Sequence, residues 1–447
     1  MVKKKEEQTT GKNIGKNMCK IEQKLQRKHL IALSFFLPLL VMTGCCIVFG
    51  VQPFGDNSLL IIDGLHQYMP FYSVLYDKLK GGKTLFYSFR SGLGINFLSL
   101  FSYYLSSPFN LLILFFKKSQ LNMAVSMIIV LKIACSGMTA GIYFSSKSKK
   151  QGFSIVMISM AYALSSYMVG YCWNVMWLDA IMIFPIIMMG LERLIEKKDG
   201  RLYCIALFYA LYCNYYIAFM ICIFAVIWYL LYSFKSIKQF FFRGIAFAFY
   251  SFLAAGMAAI LLIPAYMGIK QTASGETMQL PEHSFLTSAA DLLNRQFALW
   301  SPISHDNFDG NANLYIGIFS VLAVGLYVLN GEIKVSEKIK KVLLIGLFYL
   351  SFSEMILNFI WHGFHDQYGI PNRFSFLFGF VLLYMLWEVF EHLEGVKGWH
   401  AAFACMAGVA LMAYAKLKGT QVLEDNVYGV AGMLLLLYGM LLFFYTL

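Results

Sequence analysis

Residues 56–71 read DNSLLIIDGLHQYMPF, and within them stand two carboxylates, an imidazole, an amide and a phenol: Asp56, Asp63, His66, Gln67 and Tyr68. If 58–69 is helical, Asp63, His66 and Gln67 fall at i, i+3 and i+4 and share one face. The two acids are seven residues apart, about 10 Å of helical rise, which exceeds the roughly 5–9.5 Å that separates paired acids in glycoside hydrolases. Paired-acid hydrolysis is disfavoured on that spacing. A single carboxylate suits another reaction: it removes the proton of an acceptor hydroxyl while an activated lipid-phosphate sugar supplies the leaving group. Base assistance of this kind contributes about 10²- to 10⁴-fold. The plain alternative is an interfacial helix whose polar face meets water.

A second group lies near residues 361–373, where His362 and His365 precede Arg373. A departing lipid phosphate needs a cation, and arginine offers bidentate geometry for it; the competing reading of Arg373 is headgroup snorkelling. His-x-x-His could hold a metal on one helical face, but no third ligand stands in sequence reach, so neither a metal nor an organic cofactor is expected. Asn174, Trp177 and Asp179 lie at the end of an apolar run, where an acid is costly unless it faces protein or water. They are candidate substrate-binding residues; for Asp179 the structural alternative is a partner on a neighbouring helix, and Lys132, also inside an apolar run, is the cation that could supply it. Tyr68, Trp173 and Trp177 could stack on a sugar ring. The glycines of GLGINFL at 92–98 lack the strand-and-helix context of a phosphate fingerprint and read as a tight turn.

These side chains must be held by membrane helices. Of 447 residues, 59% are hydrophobic and only 13% charged, about half the charged share of an ordinary soluble domain. Twelve apolar runs separated by charge, from 30–51 to 428–446, predict an all-α integral membrane protein of about 12 spans. Residues 1–28 hold nine Lys/Arg against three Glu and read as a basic cytoplasmic tail on anionic lipid, so nucleic acid is not the expected partner of the +12 net charge. Residues 29–447 form the polytopic domain. The nine cysteines show no metal or redox spacing and read as packing residues; Met42-Thr43-Gly44-Cys45 resembles a lipoprotein cleavage box but reads as the interior of the first span.

The segment FLSLFSYYLSSPFNLLILFF at 97–116 decides the topology. If it does not cross, 24 Lys/Arg collect on the inner side and eleven on the outer side, as the positive-inside rule requires. It is therefore expected to be re-entrant or interfacial, broken at Ser106-Ser107-Pro108, where lost backbone bonds need shelter by protein. Both ends are then cytoplasmic, and the outer loops are 52–121, 265–313 and 359–373.

The 56–71 stretch, GLGINFL at 92–98, YYLSSPFN at 103–110 and PNRFSF at 371–376 together resemble the YfhO family of Gram-positive bacteria. That resemblance implies a GT-C-like glycosyltransferase fold in the plasma membrane, with interfacial or re-entrant helices in the first outer loop. It further implies sugar transfer from an undecaprenyl-phosphate carrier to a cell-surface polymer such as lipoteichoic acid, on the outer leaflet among membrane lipids. GT-C enzymes keep a catalytic Asp in that loop, which matches Asp63 first and Asp56 second. Members are commonly near twice as long, and the chain stops at the edge of an apolar run, consistent with a shortened or a naturally half-length version. A lipid or polysaccharide transporter would favour polar residues and broken helices at the bilayer midplane, whereas here they cluster in outer loops; a non-catalytic scaffold of a wall-polymer complex is the third reading.

The topology predicts that a single cysteine at position 148, in a cysteine-free background, is shielded from a membrane-impermeant thiol reagent in intact cells. Strong labelling there would overturn it.

Overall fold

The computed structural model describes residues 26–90, 93–272, 280–304, 310–365, 367, 369–420 and 424–446; most of the basic tail, Cys19, Gly92 and part of the 265–313 loop lie outside them. Among the described residues the protein is all-helical apart from one hairpin in the first loop, in which β1 (Tyr87–Ser88) pairs antiparallel with β2 (Ile95–Asn96). The first half of the chain holds α1 (Arg27–Val48), α2 (Met69–Lys80), α3 (Phe97–Tyr104), α4 (Leu121–Lys147), α5 (Phe153–Ala163), α6 (Ser166–Gly170), α7 (Leu178–Lys197), α8 (Arg201–Cys213) and α9 (Tyr215–Leu231). The second half holds α10 (Ile237–Met257), α11 (Ala259–Ile269), α12 (Ala289–Asn294), α13 (Phe319–Leu329), α14 (Val335–Ser353), α15 (Met355–Trp361), α16 (Ser375–Glu391), α17 (Gly398–Lys418) and α18 (Asp425–Thr446).

Six stretches are long and apolar enough to cross a bilayer unaided: α1, α4 with the turn before it, α5 with α6, α10, α17 and α18. The remaining expected runs are helical too but unequal. α8, α9, α11 and α13 are shorter apolar helices, while α7 and α16 form the centre of the bundle and are buried along nearly their whole length. Protein rather than lipid surrounds those two, which is why they can carry Asp179, Glu192 and Glu388. α1 lies along α4 because Gly137 and Gly141 leave room for it: a Cβ at 137 would collide with the Ser34 carbonyl. Small residues four apart are the usual means by which membrane helices approach closely.

Residues 97–116 break where expected. α3 and a 3₁₀ segment, Pro108–Phe115, meet at 100°. The polar groups at the break are met by protein: Ser106 Oγ donates to the Cys213 carbonyl at 3.0 Å, Ser107 Oγ donates to Asp179 at 2.8 Å, and Asn110 bonds both Tyr72 and the Leu105 carbonyl. Asp179, on the first turn of α7, is fully buried and also accepts from Lys132 Nζ of α4 at 2.6 Å and from the Tyr209 hydroxyl of α8 at 2.9 Å. Lys132, equally buried, donates further to the Val175 carbonyl at 3.0 Å. One ion pair thus joins α4, α7, α8 and the hairpin break. The basic loops after α4, α7, α9, α13 and α16 gather at the other end of the bundle, tied by Lys149 N to Glu391, Ser233 to Glu337 and Arg243 to the Ile195 carbonyl.

Removing one partner of a buried pair strands a charge and costs about 3–5 kcal/mol, whereas replacing both is often near neutral. Lys132→Met and Asp179→Asn should each lower the thermal midpoint in detergent, and the double replacement Lys132→Met with Asp179→Leu should recover much of the loss. Single variants that melt like wild type would contradict the tie.

Candidate functional site in the first long loop

The helix expected over 58–69 starts later than its polar spacing suggests. Ile62 takes a left-handed conformation (φ 49°), and a π-turn, Gly64–Tyr68, then runs directly into α2. A Cβ at 64 would press on Leu60, so a larger residue there would shift the Leu60 side chain. Asp63, itself helical, stands at the head of the turn, and Asp63 and His66 are both exposed. Tyr68 points inward: its hydroxyl donates to Asn174 Oδ1 at 2.9 Å, and its ring stacks on Trp173 at 5.9 Å and leans on Tyr104 at 5.3 Å. Gln67 lies beside the Tyr104 hydroxyl.

Arg373 reaches the same place from the far side. Its Nε donates to the Ile370 carbonyl, one terminal nitrogen to Tyr216 at 3.1 Å and the other to the Gln367 carbonyl at 2.6 Å, while Tyr167 holds its backbone carbonyl at 2.6 Å. The guanidinium lies 5.4 Å from the Trp177 ring and 5.2 Å from the Tyr216 ring. Of the five N–H donors of an arginine, two have no partner among the described residues. Burial pushes the Tyr68 phenol well above its ordinary range; the nearby phenols of Tyr103 and Tyr104 and the Asp63 carboxylate add to this, and Arg373 opposes it. Asp63 and Arg373 also act together on Tyr104. The carboxylate and the guanidinium are thus both close enough to act, with opposite sign, on one pair of phenols.

His365 stacks on Tyr216 at 5.5 Å. His362 is fully buried, with Nδ1 at 2.7 Å from the Asn358 carbonyl and Nε2 without a partner among the described residues. Its burial, with Arg373 nearby, pushes the imidazole from an ordinary 6.5 down to about 3, so at neutral pH it supplies shape and a lone pair, not charge. Asn174 Nδ2 and the Trp177 indole N–H are also buried without a hydrogen bond. Most of the unused capacity around Arg373 is therefore donor capacity, which suits an anion.

Two expected site residues stand elsewhere. Asp179 is a correction to the substrate-binding set: it is sealed from solvent, and Lys132, Ser107 and Tyr209 fill its oxygens. The structural alternative, a tie to Lys132, is what the fold contains. Asp56 lies in the exposed turn after α1 and forms no hydrogen bond or ion pair among the described residues. The reading by residue type passed over Tyr103, Tyr104, Tyr167, Tyr171 and Tyr216, which wall the site. Their signal was the tyrosine doublets at 103–104 and 215–216, each at a helix end.

Fold and site define a multi-pass helical membrane protein with an exposed carboxylate and a half-free guanidinium set around an aromatic box at one end. The family model for the bacterial membrane protein YfhO matches residues 34–447, and the chain belongs to that family, for which a GT-C-like glycosyltransferase is a fair description. No curated protein and no solved structure matches the chain.

A buried histidine held neutral opposes protonation: its stabilising contribution is complete above about pH 6.5 and is lost as pH falls toward 3. His362→Asn should flatten this part of the acid sensitivity. Between about pH 7 and pH 4 its thermal midpoint should fall less than that of wild type, by an amount equivalent to about 1–3 kcal/mol. Parallel pH curves would contradict the buried neutral state.

Proposed function

We propose that the protein is a membrane glycosyltransferase that moves a sugar from a polyprenyl-phosphate donor, of the undecaprenyl-phosphate class, to a cell-surface polymer such as lipoteichoic acid at the outer leaflet. One observation carries the reading: Tyr68, five residues after Asp63, bonds Asn174, and Arg373 lies over Trp177 of the same buried turn, so the carboxylate and the guanidinium share one aromatic box. A base and an anion-holding cation across one aromatic box are what this reaction needs. The Asp63 carboxylate takes the proton of the acceptor hydroxyl as its oxygen attacks the anomeric carbon. The bond from that carbon to the phosphate oxygen breaks, and the leaving lipid phosphate is met by the two unused N–H groups of Arg373. Asn174 and Trp177 add N–H donors at the same wall, and Tyr68, Trp173 and Trp177 offer rings for the sugar. His66 and Gln67 stand on the acceptor side of Asp63. His365 borders Arg373 through Tyr216, and neutral His362 shapes the pocket behind it.

Sugar transfer in proteoliposomes from a polyprenyl-phosphate sugar tests the assignment. Asp63→Asn keeps the shape but cannot take a proton, so it should fold normally and lose about 10²- to 10⁴-fold in transfer. Asp56→Asn should lose less. Transfer by Asp63→Asn at the wild-type rate, from equal amounts of protein, would refute the role.

Arg373→Ala should fall mainly on donor use, raising the apparent donor KM and lowering turnover. Were both unchanged, the phosphate would be held elsewhere.

A further inference from the structure

At the end of the bundle opposite Asp63, a cavity of about 280 Å³ opens between α4, α7, α9, α14 and α16. Lys341 of α14 enters it from a site more than nine-tenths buried, its ammonium 4.3 Å from the Trp228 ring and 4.8 Å from the Tyr384 ring. Lys147 of α4 lies 5.0 Å from the same Tyr384 ring, but it is already paired with Glu192 at 2.8 Å. Lys341 has no such partner: among the described residues its ammonium forms no hydrogen bond and no ion pair within 4.0 Å. Neither the indole N–H of Trp228 nor the hydroxyl of Tyr384 has a hydrogen-bond partner among them either. Ring faces and the longer-range charges of Glu388, Glu337 and Glu192 surround the ammonium without a direct hydrogen-bond acceptor among the described residues, and here three kinds of donor converge on one space.

The opposite charge is present in the same wall. Glu196, Glu337 and Glu388 each give one carboxylate oxygen to the protein, accepting from Tyr232, from Ser233 with Lys340, and from Tyr327. The second oxygen of each is unused among the described residues. Unpaired donors beside unpaired carboxylate oxygens do not fit a simple anion, which the carboxylates would repel, nor a simple cation, which the lysines would repel. They fit a molecule that carries both charges a few bonds apart. The level of the cavity fits as well: its aromatic walls stand where charged loops meet apolar helices, with Leu230, Val335, Ile339 and Val342 exposed on the flanking helices, as at a headgroup boundary.

We propose that this cavity binds a zwitterion in which a phosphate and a primary ammonium are joined by a short linker, the chemistry of a phosphoethanolamine group. Lys341, Trp228 and Tyr384 take the phosphate; Glu388, Glu337 and Glu196 take the ammonium. The group can come from a phosphatidylethanolamine headgroup or from a soluble phosphoethanolamine compound.

The test is thermal unfolding of the purified full chain in detergent, titrated with short-chain phosphatidylethanolamine, short-chain phosphatidylglycerol, O-phosphoethanolamine and glycerol phosphate. At least one ammonium-bearing probe should protect at lower concentration than its counterpart without the ammonium. Protection by the lipid alone identifies a headgroup site; protection by the soluble compound identifies a soluble ligand. Lys341→Gln should weaken that protection roughly 10- to 100-fold, the loss of a charge-assisted bond, and Glu388→Gln should narrow the preference over the ammonium-free probes. Equal protection by probes with and without the ammonium, or a Lys341→Gln variant that responds like wild type, would overturn the proposal. If Lys341→Gln does not fold, the wild-type preference and its response to Glu388→Gln decide the matter.

Discussion

The Lys132–Asp179 pair is the constraint on which the positions of the other functional groups depend. A lone charge at that depth would be untenable in an apolar bundle, so each residue must find the other, and the geometry of their meeting fixes four segments at once. Asp179 stands on the first turn of α7, and the irregular backbone of 171–177 leads into it. Irregular backbone is tolerated inside a membrane only where protein encloses it, and these seven residues are all buried. Through Ser107 the same carboxylate anchors the bend between α3 and the Pro108–Phe115 segment, and that bend presents Tyr103 and Tyr104. Asn174 and Trp177, held by the turn, then receive Tyr68 and Arg373. A buried pair of this kind gives little net stability, and its consequence here is one specified arrangement.

The two ends of the bundle use similar side chains differently. Around Arg373 the leftover hydrogen-bonding groups are mostly donors, which prepares the place for a phosphate. At the opposite end lysines and carboxylates share aromatic walls, so the leftover capacity there carries both signs. Between them α7 and α16 form a core that is closely packed on every side. The first-loop candidates and the second cavity therefore occupy separate ends of a single protein body.

Much of this was legible in the sequence, for identifiable reasons. Helical class and the break at 106–108 follow from apolar run length and from proline chemistry, both local. The partnership of Lys132 with Asp179 was readable because a charge within an apolar run has so few alternatives. The start of the first-loop helix was not readable: polar spacing favoured 58–69, whereas the left-handed turn at Ile62 breaks it, and isoleucine is not a residue type whose sequence signals that conformation. The tyrosine walls escaped for a similar reason. Among so many aromatic residues the doublets at 103–104 and 215–216 are a faint signal, and Tyr167 and Tyr171 carry none; the convergence of four distant segments on Arg373 is what separates the residues around the site from those that only pack. About 12 spans were expected from apolar run length, yet six stretches are long and apolar enough to cross unaided, and the central helices are enclosed by protein and freed from that rule.

The central claim separates two tasks: Arg373 holds the donor phosphate, and Asp63 moves a proton. Binding of a labelled polyprenyl-phosphate sugar to Asp63→Asn proteoliposomes, measured beside transfer from the same preparation, tests that separation most directly. The expected result is donor binding at the wild-type level with transfer all but lost. Donor binding and transfer falling together, in protein that unfolds at the wild-type temperature, would contradict it.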